Sequence, residues 1–201
     1  MARKYGMRKR AEELEKTRDR IMAATMQLHD EKGVARTSFA DIAQRAEVGQ
    51  ATVHRHFPTL GDLVRSCGMH VWQEMRPPVP EDVPAIFLHA GSEVERIERM
   101  VAHLDDFYVR GELRLGLAGR DRDLIPELEQ FLSIVEAGVR AVVAGGLKRD
   151  AGDLTTKLVA AVLSFGSWSE IRKLDLDIGE RRKILKGLVK CSIKAANGIR
   201  E

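Results

Sequence analysis

The run Gln50-Ala51-Thr52-Val53-His54-Arg55-His56 concentrates hydrogen-bonding side chains in about two helical turns. Gln50, Thr52, His54, Arg55 and His56 can each meet a base edge or a phosphate, and Ala51 is small enough to contact a thymine methyl. Just upstream, Thr37 and Ser38 carry hydroxyls suited to capping helix amides, and Asp41 follows Ser38 by three positions. Amides at such a helix start also form a ready site for a phosphate. A third group, Arg3, Lys4, Arg8, Lys9 and Arg10, forms a basic arm that would release counterions from a polyanion. All three groups point to recognition of double-stranded DNA.

Other chemistries find less support. His54 and His56 stand two residues apart, so on a helix they project about 200° from each other and are poorly placed to share a metal ion. His29, His70, His89 and His103 occur singly. Cys67 and Cys191 are far apart and outside any metal-binding spacing. No nucleophile elbow, phosphate-binding loop, zincin motif or dinucleotide fingerprint occurs, so no catalytic residue, cofactor or metal is expected.

Helices must position these residues. Periodicity is helical throughout, and no stretch sustains a period of two, so the fold class is all-α. A first helix is expected from about Lys16 to Lys32, with Ile21, Ala24 and Leu28 on one face and Gly33 ending it. A second, capped at Thr37 or Ser38, turns Phe39, Ile42, Ala43 and Ala46 inward. After Glu47-Val48-Gly49, a third runs from Gln50 to Phe57, burying Val53 and Phe57 before Pro58 stops it. A fourth, from Leu60 to about Glu74, buries Leu63, Val64, Cys67 and Val71. Two short helices joined by a tight turn behind a longer one form the helix-turn-helix arrangement, which puts the second into the major groove.

Pro77, Pro78, Pro80 and Pro84 interrupt the pattern and mark a boundary, with an arm over 1–16, a DNA-binding domain over 17–75 and a second domain over 76–201. Ser92 and Glu95 form a capping box opening a helix to about Arg110, whose stripe is Val94, Ile97, Val101, Leu104 and Tyr108. Pro126 suits the first turn of a helix burying Leu128, Leu132, Val135, Val139 and Val142, with Gly145-Gly146 at its end. Two more are expected, at about Asp153 to Ser167 and Gly179 to Asn197. The net charge is +3. The excess lies within residues 1–75, and residues 1–20 hold eight basic groups against four acidic ones. The N-terminus lacks the apolar core of a signal peptide, and the longest apolar run, Leu158 to Phe165, is short of the roughly 18 residues of a membrane span, so a cytoplasmic protein is expected.

The run TRDRIMAATMQLHDEKGVARTSFADIAQRAEVGQATVHRHFPTLGDLV resembles the DNA-binding domain of the tetracycline-repressor (TetR) family. The matching residues are Ala23-Ala24, Gly33, Thr37-Ser38, Asp41-Ile42-Ala43, Ala46, Val48, Thr52 and His56-Phe57. The resemblance implies a regulator, usually a repressor, that binds a roughly palindromic operator as a homodimer and is released by a small effector. Departures are Glu47 where the family usually has glycine, Gly49 for a hydroxyl cap, His54 for a phosphate-binding tyrosine and Leu60 for a lysine. A left-handed Glu47 would cost about 1 to 2 kcal/mol, and fewer phosphate contacts should weaken DNA binding unless the arm compensates.

In the second domain, Met100, His103 and Phe107 form a stripe beside the core stripe of their helix. With Tyr108, Phe131, Phe165 or Trp168 they could wall a pocket for a small apolar or amphipathic effector. On the last helix, Ile184, Leu188, Cys191 and Ala195 form one stripe and Leu185, Val189, Ser192 and Ala196 another, an arc wider than one neighbour covers. Leu158 and Val162 of the preceding helix, with Leu185, Leu188, Val189, Ser192 and Ala196, are expected to form a dimer interface as a four-helix bundle. The rival readings are a constitutive or architectural DNA binder without a ligand, and a small-molecule enzyme or binding protein that has lost DNA binding.

Overall fold

The structure, a computed structural model, describes residues 2–200, with side chains described over 7–199. Regular structure among the described residues is helical: α1 (Ala2–Lys32), α2 (Phe39–Arg45), α3 (Gln50–His56), α4 (Leu60–Met75), a 3₁₀ turn (Pro80–Asp82), α5 (Val83–Ile86), α6 (Glu93–Asp121), a second 3₁₀ turn (Arg122–Leu124), α7 (Pro126–Leu147), α8 (Leu154–Val162), α9 (Phe165–Arg172) and α10 (Ile178–Arg200). The chain forms two compact units, Met1–Gln73 with Gly116–Phe131, and Glu74–Leu115 with Leu132–Glu201. Residues 116–131 therefore join the first unit although about forty residues of the second precede them in the chain.

In the first unit, Ile21, Met22, Ala24 and Leu28 of α1 pack with Ile42, Ala43 and Ala46 of α2, Val53 of α3, Phe57 and Leu63. The alanines are small where helices approach closely, and Phe57 fills the space between them. Each short helix is closed by local hydrogen bonds. Ser38 and Asp41 exchange bonds as a capping box, in which the Ser38 amide donates to the Asp41 carboxylate at 2.9 Å and the Asp41 amide donates to the Ser38 hydroxyl at 3.2 Å. Thr59 and Asp62 repeat the arrangement before α4. At the other end of α2 the Val48 amide donates to the Ala43 carbonyl and the Glu47 amide to that of Gln44, which is the Schellman pattern. Glu47 has φ +53° in this turn, so the departure from glycine falls on a left-handed residue.

Several elements differ from their sequence-based bounds. The basic arm is not a separate segment but the first turns of α1, which begins at Ala2. The Ser92–Glu95 capping box forms, yet α6 continues to Asp121 because no proline or left-handed residue interrupts it. Gly145 and Gly146 lie inside α7. A Cβ on Gly145 would meet Val83 Cγ1 at 2.3 Å, and one on Gly146 would meet Met100 Sδ at 3.0 Å. These glycines let neighbours approach the α7 backbone, and the helix ends instead at Lys148, φ +52°. The helix expected over Asp153 to Ser167 is two helices, because Ser164 turns the chain and its hydroxyl accepts the Ser167 amide.

In length and composition α7 could cross a membrane. Its apolar residues Leu128, Leu132, Val135, Val139, Val142 and Val143 are buried within the protein. The second unit also holds a buried ionic centre at Asp105. Arg181 Nε donates to one carboxylate oxygen at 2.7 Å and Arg182 Nε to the other at 2.9 Å, while Trp168 Nε1 donates at 2.8 Å. Burial pushes this carboxyl up, but the bonds from Arg181, Trp168 and Arg182 hold it below the usual carboxylate range. One side chain thereby ties α6, α9 and the start of α10 together.

Candidate nucleic-acid interface

α3 buries Val53 on the helix-turn-helix core and leaves Gln50, Ala51, His54 and Arg55 exposed, with Thr52 and His56 half-buried. These are the side chains expected to meet base edges. Gly49 caps the helix through backbone alone, its carbonyl accepting the Thr52 amide at 2.8 Å. His54 stacks on Phe39 of α2 with ring centroids 4.3 Å apart and planes 14° from parallel. His56 differs. Its Nε2 is buried without a hydrogen-bond partner, and desolvation together with Arg55 and Arg18 lowers its pKa, which favours the neutral ring. Arg18 of α1 lies over the Phe57 ring at 5.0 Å, and its guanidinium donates to Ser66.

The start of α2 is already occupied by its own side chains. Thr37 is buried, and its hydroxyl donates to the Gly33 carbonyl at 2.8 Å, so it is not free for a phosphate. Ser38 is exposed, but the Asp41 carboxylate takes its amide and hydroxyl. Asp41 also accepts from Lys32 at 2.9 Å, and these bonds hold its carboxyl far below the usual range. Arg45 grips Glu31 through two nitrogens, at 2.8 and 2.9 Å, locking α2 on α1.

Sequence reasoning missed the hold on the α1–α2 loop. Asp121, at the end of α6, accepts the Ala35 amide at 3.0 Å, and Arg120 donates to the Lys32 carbonyl at 2.8 Å. Burial raises the Asp121 pKa, and Arg120 with the Ala35 amide more than reverses this. A Cβ on Gly33, at φ +91°, would fall 1.9 Å from Arg120. Gly33 is favoured here by its backbone angle, and a side chain at this position would also displace the Arg120 guanidinium from the loop. No local signal could reveal this pairing, because the partners lie 86 positions apart.

Of the arm residues, Lys9 and Arg10 are exposed, and Arg8 is exposed and paired with Glu12 at 3.1 Å. The side chains of Arg3 and Lys4 lie outside the described ones. In the second unit, Tyr108 contacts Phe107, Phe165 and Trp168 with centroids between 5.1 and 5.6 Å, and its hydroxyl donates to the Leu163 carbonyl. Met100 and Phe107 are fully buried and His103 is half-buried. Phe131 is not among them. It belongs to the first unit, edge-on to Trp72 at 5.9 Å. The expected dimer residues also divide. Leu185, Val189 and Ala196 are buried within the protomer, where α10 packs on α8, so they cannot supply an intersubunit surface. Leu158, Val162, Leu188 and Ser192 are half-buried. Among the described residues no cluster of three or more His, Cys, Asp or Glu side chains could hold a metal ion.

Residues 21–67 match the family of bacterial regulatory proteins designated tetR, a span that runs from α1 into α4. No curated protein matches the chain in sequence. Among solved structures, the multidrug binding protein EbrR, complexed with imidazole, is 24% identical, covers 85% of this chain and 88% of its own and superposes with a TM-score of 0.59. The transcriptional regulator SCO7518 from Streptomyces coelicolor A3(2) is 20% identical over 86% of this chain and 98% of its own, with a TM-score of 0.58. A third, the TetR family regulator PfmR from Thermus thermophilus, is 16% identical over 87% and 97%, with a TM-score of 0.50. These likenesses show a shared fold that extends beyond the helix-turn-helix, and the helix-turn-helix region itself, residues 21–67, is similar to that of the tetR family of bacterial regulatory proteins.

Proposed function

We propose that the protein is a homodimeric repressor that binds a palindromic operator through α3 and leaves it when a small molecule enters the second unit. The observation that carries DNA binding is the exposed polar face of α3, with Gln50, Ala51, His54 and Arg55 outward while Val53 and Phe57 are held in the core. Thr52 and His56 flank that face, and Ser38 stands at the start of α2. Arg8, Lys9 and Arg10 on the first turns of α1, with Arg3 and Lys4, add sequence-independent attraction to phosphates. The cytoplasm, where the chromosome lies, is the matching compartment.

Dimerisation is supported by a residual apolar stripe. Ile184, Cys191 and Ala195 remain exposed and Leu188 half-buried, spaced at three and four residues along α10, while the adjacent stripe is consumed within the protomer. A second copy related by a two-fold axis would cover it and pair two α3 helices with two half-sites. In a gel-shift assay with the DNA upstream of its own gene, Arg55→Ala should cost about 1 to 3 kcal/mol if Arg55 contacts a base edge. Operator affinity unchanged in both Arg55→Ala and Gln50→Ala would remove α3 from the interface.

A further inference from the structure

In the second unit, residues 76–89 form a strap along the seam between α6 and α7. Both ends turn through left-handed, non-glycine residues, Arg76 at φ +47° and His89 at φ +62°. Arginines of α6 pin those ends. Arg110 donates to the carbonyls of Met75 and Arg76, and Arg99 to those of Ile86 and Leu88. Between them the strap lies on bare backbone of α7, since a Cβ at Gly138 would fall 1.9 Å from the Pro78 carbonyl and one at Gly145 would strike Val83. Gly111 and Met100 of α6 meet Met75 and the Phe87-facing Gly146 respectively, so the stripe Met100, His103, Phe107, Gly111 runs beneath the strap. The middle of that stripe carries its one polar ring. His103 Nε2 is buried and has no hydrogen-bond partner.

From this geometry we infer that His103 is the polar contact of the effector site, that the strap is its door, and that the ligand is a small uncharged apolar molecule bearing one hydroxyl-type group. The inference rests on the effector reading above and names the chemistry of its site. Desolvation, reinforced by Arg110, keeps the ring neutral, against weaker opposing pulls from Asp82 and Asp106. Among the described residues, the cation that acts on the ring, Arg110, is engaged with carbonyls, Asp106 pairs with Arg182 at 2.6 Å and Asp82 is exposed on the strap, an arrangement that does not favour an anion. Met100, Phe107 and Phe87 supply the apolar surroundings.

A matched pair of probes, 2-naphthol and naphthalene, tests this on the full chain by titrating the methionine methyl resonances. Both should perturb Met100, with 2-naphthol binding about three- to tenfold tighter. His103→Phe should abolish the preference while keeping naphthalene bound, and His103→Gln, which keeps a hydrogen-bonding group, should retain part of it. Arg99→Ala should speed exchange of both probes without changing their ratio. A preference that survives His103→Phe, or no response at Met100 to either probe, overturns the assignment, the second outcome meaning that a trapped water answers the nitrogen. Exchange unchanged in Arg99→Ala would remove the strap as the door. If the preference vanishes as expected while neither probe alters operator affinity, the site stands and the effector reading fails.

Discussion

Glu47 carries the backbone strain of the helix-turn-helix. Its φ of +53° is imposed by the Schellman turn that closes α2, and any residue with a Cβ resists that angle. Family resemblance places glycine at this position, and Glu47 is exposed, so nothing visible offsets the strain. Glu47→Gly should raise stability by about 1 kcal/mol, less than the full conformational cost because glycine also loosens the unfolded chain. Urea denaturation would register this as a higher midpoint at unchanged slope. His54, another departure in the motif, illustrates a different exchange. Its ring gains a stacking partner in Phe39 of the neighbouring helix, an arrangement that steadies α3 on α2.

Glycines decide how α6 and α7 behave as elements. An isolated glycine inside a helix costs about 1 kcal/mol relative to alanine, so replacing it should stabilise wherever a methyl finds space. On α6, a Cβ at Gly119 would meet nothing within 4 Å, and Gly119→Ala should gain up to about 1 kcal/mol. On α7, a Cβ on Gly138 would fall 1.9 Å from the Pro78 backbone carbonyl, which cannot rotate away, and there steric cost should win. Gly138→Ala is expected to lose about 1 to 3 kcal/mol in thermal unfolding, despite its better helix propensity. Equal effects of the two substitutions would show that the strap does not rest on α7.

Association is the property of the whole molecule that most depends on which face of α10 remains free. Ile184 is 38% exposed, whereas Leu185 beside it is 2% exposed. Ile184→Glu and Cys191→Glu should therefore give folded monomers that bind operator poorly, since one half-site offers too little affinity. Leu185→Glu should instead unfold the second unit, because it buries a charge without a partner. Sedimentation and circular dichroism separate these outcomes, and dimers that persist in both exposed-face variants would rule out the α10 interface.

Local sequence was sufficient wherever the determining interaction lies within a few residues. The capping boxes at Ser38 and Ser92, the core stripe of α7, the bounds of α2 and α3, and the exposure of Gln50, Ala51, His54 and Arg55 on α3 were legible, though not the half-burial of Thr52 and His56, because hydrogen bonds and helical periodicity act over three or four positions. Tertiary structure decided the rest. Nothing near Thr37 indicates that its hydroxyl is already engaged, and the two apolar stripes of α10 are equivalent until α8 covers one of them. Gly145-Gly146 reads as a helix end, but the close approach of Val83 and Phe87 makes it a packing surface. Asp121 reaches Ala35, and Phe131 leaves the aromatic cluster for Trp72, through contacts between segments far apart in the chain. Such pairings depend on how completed helices pack, and side-chain type and spacing along one segment hold no record of that choice.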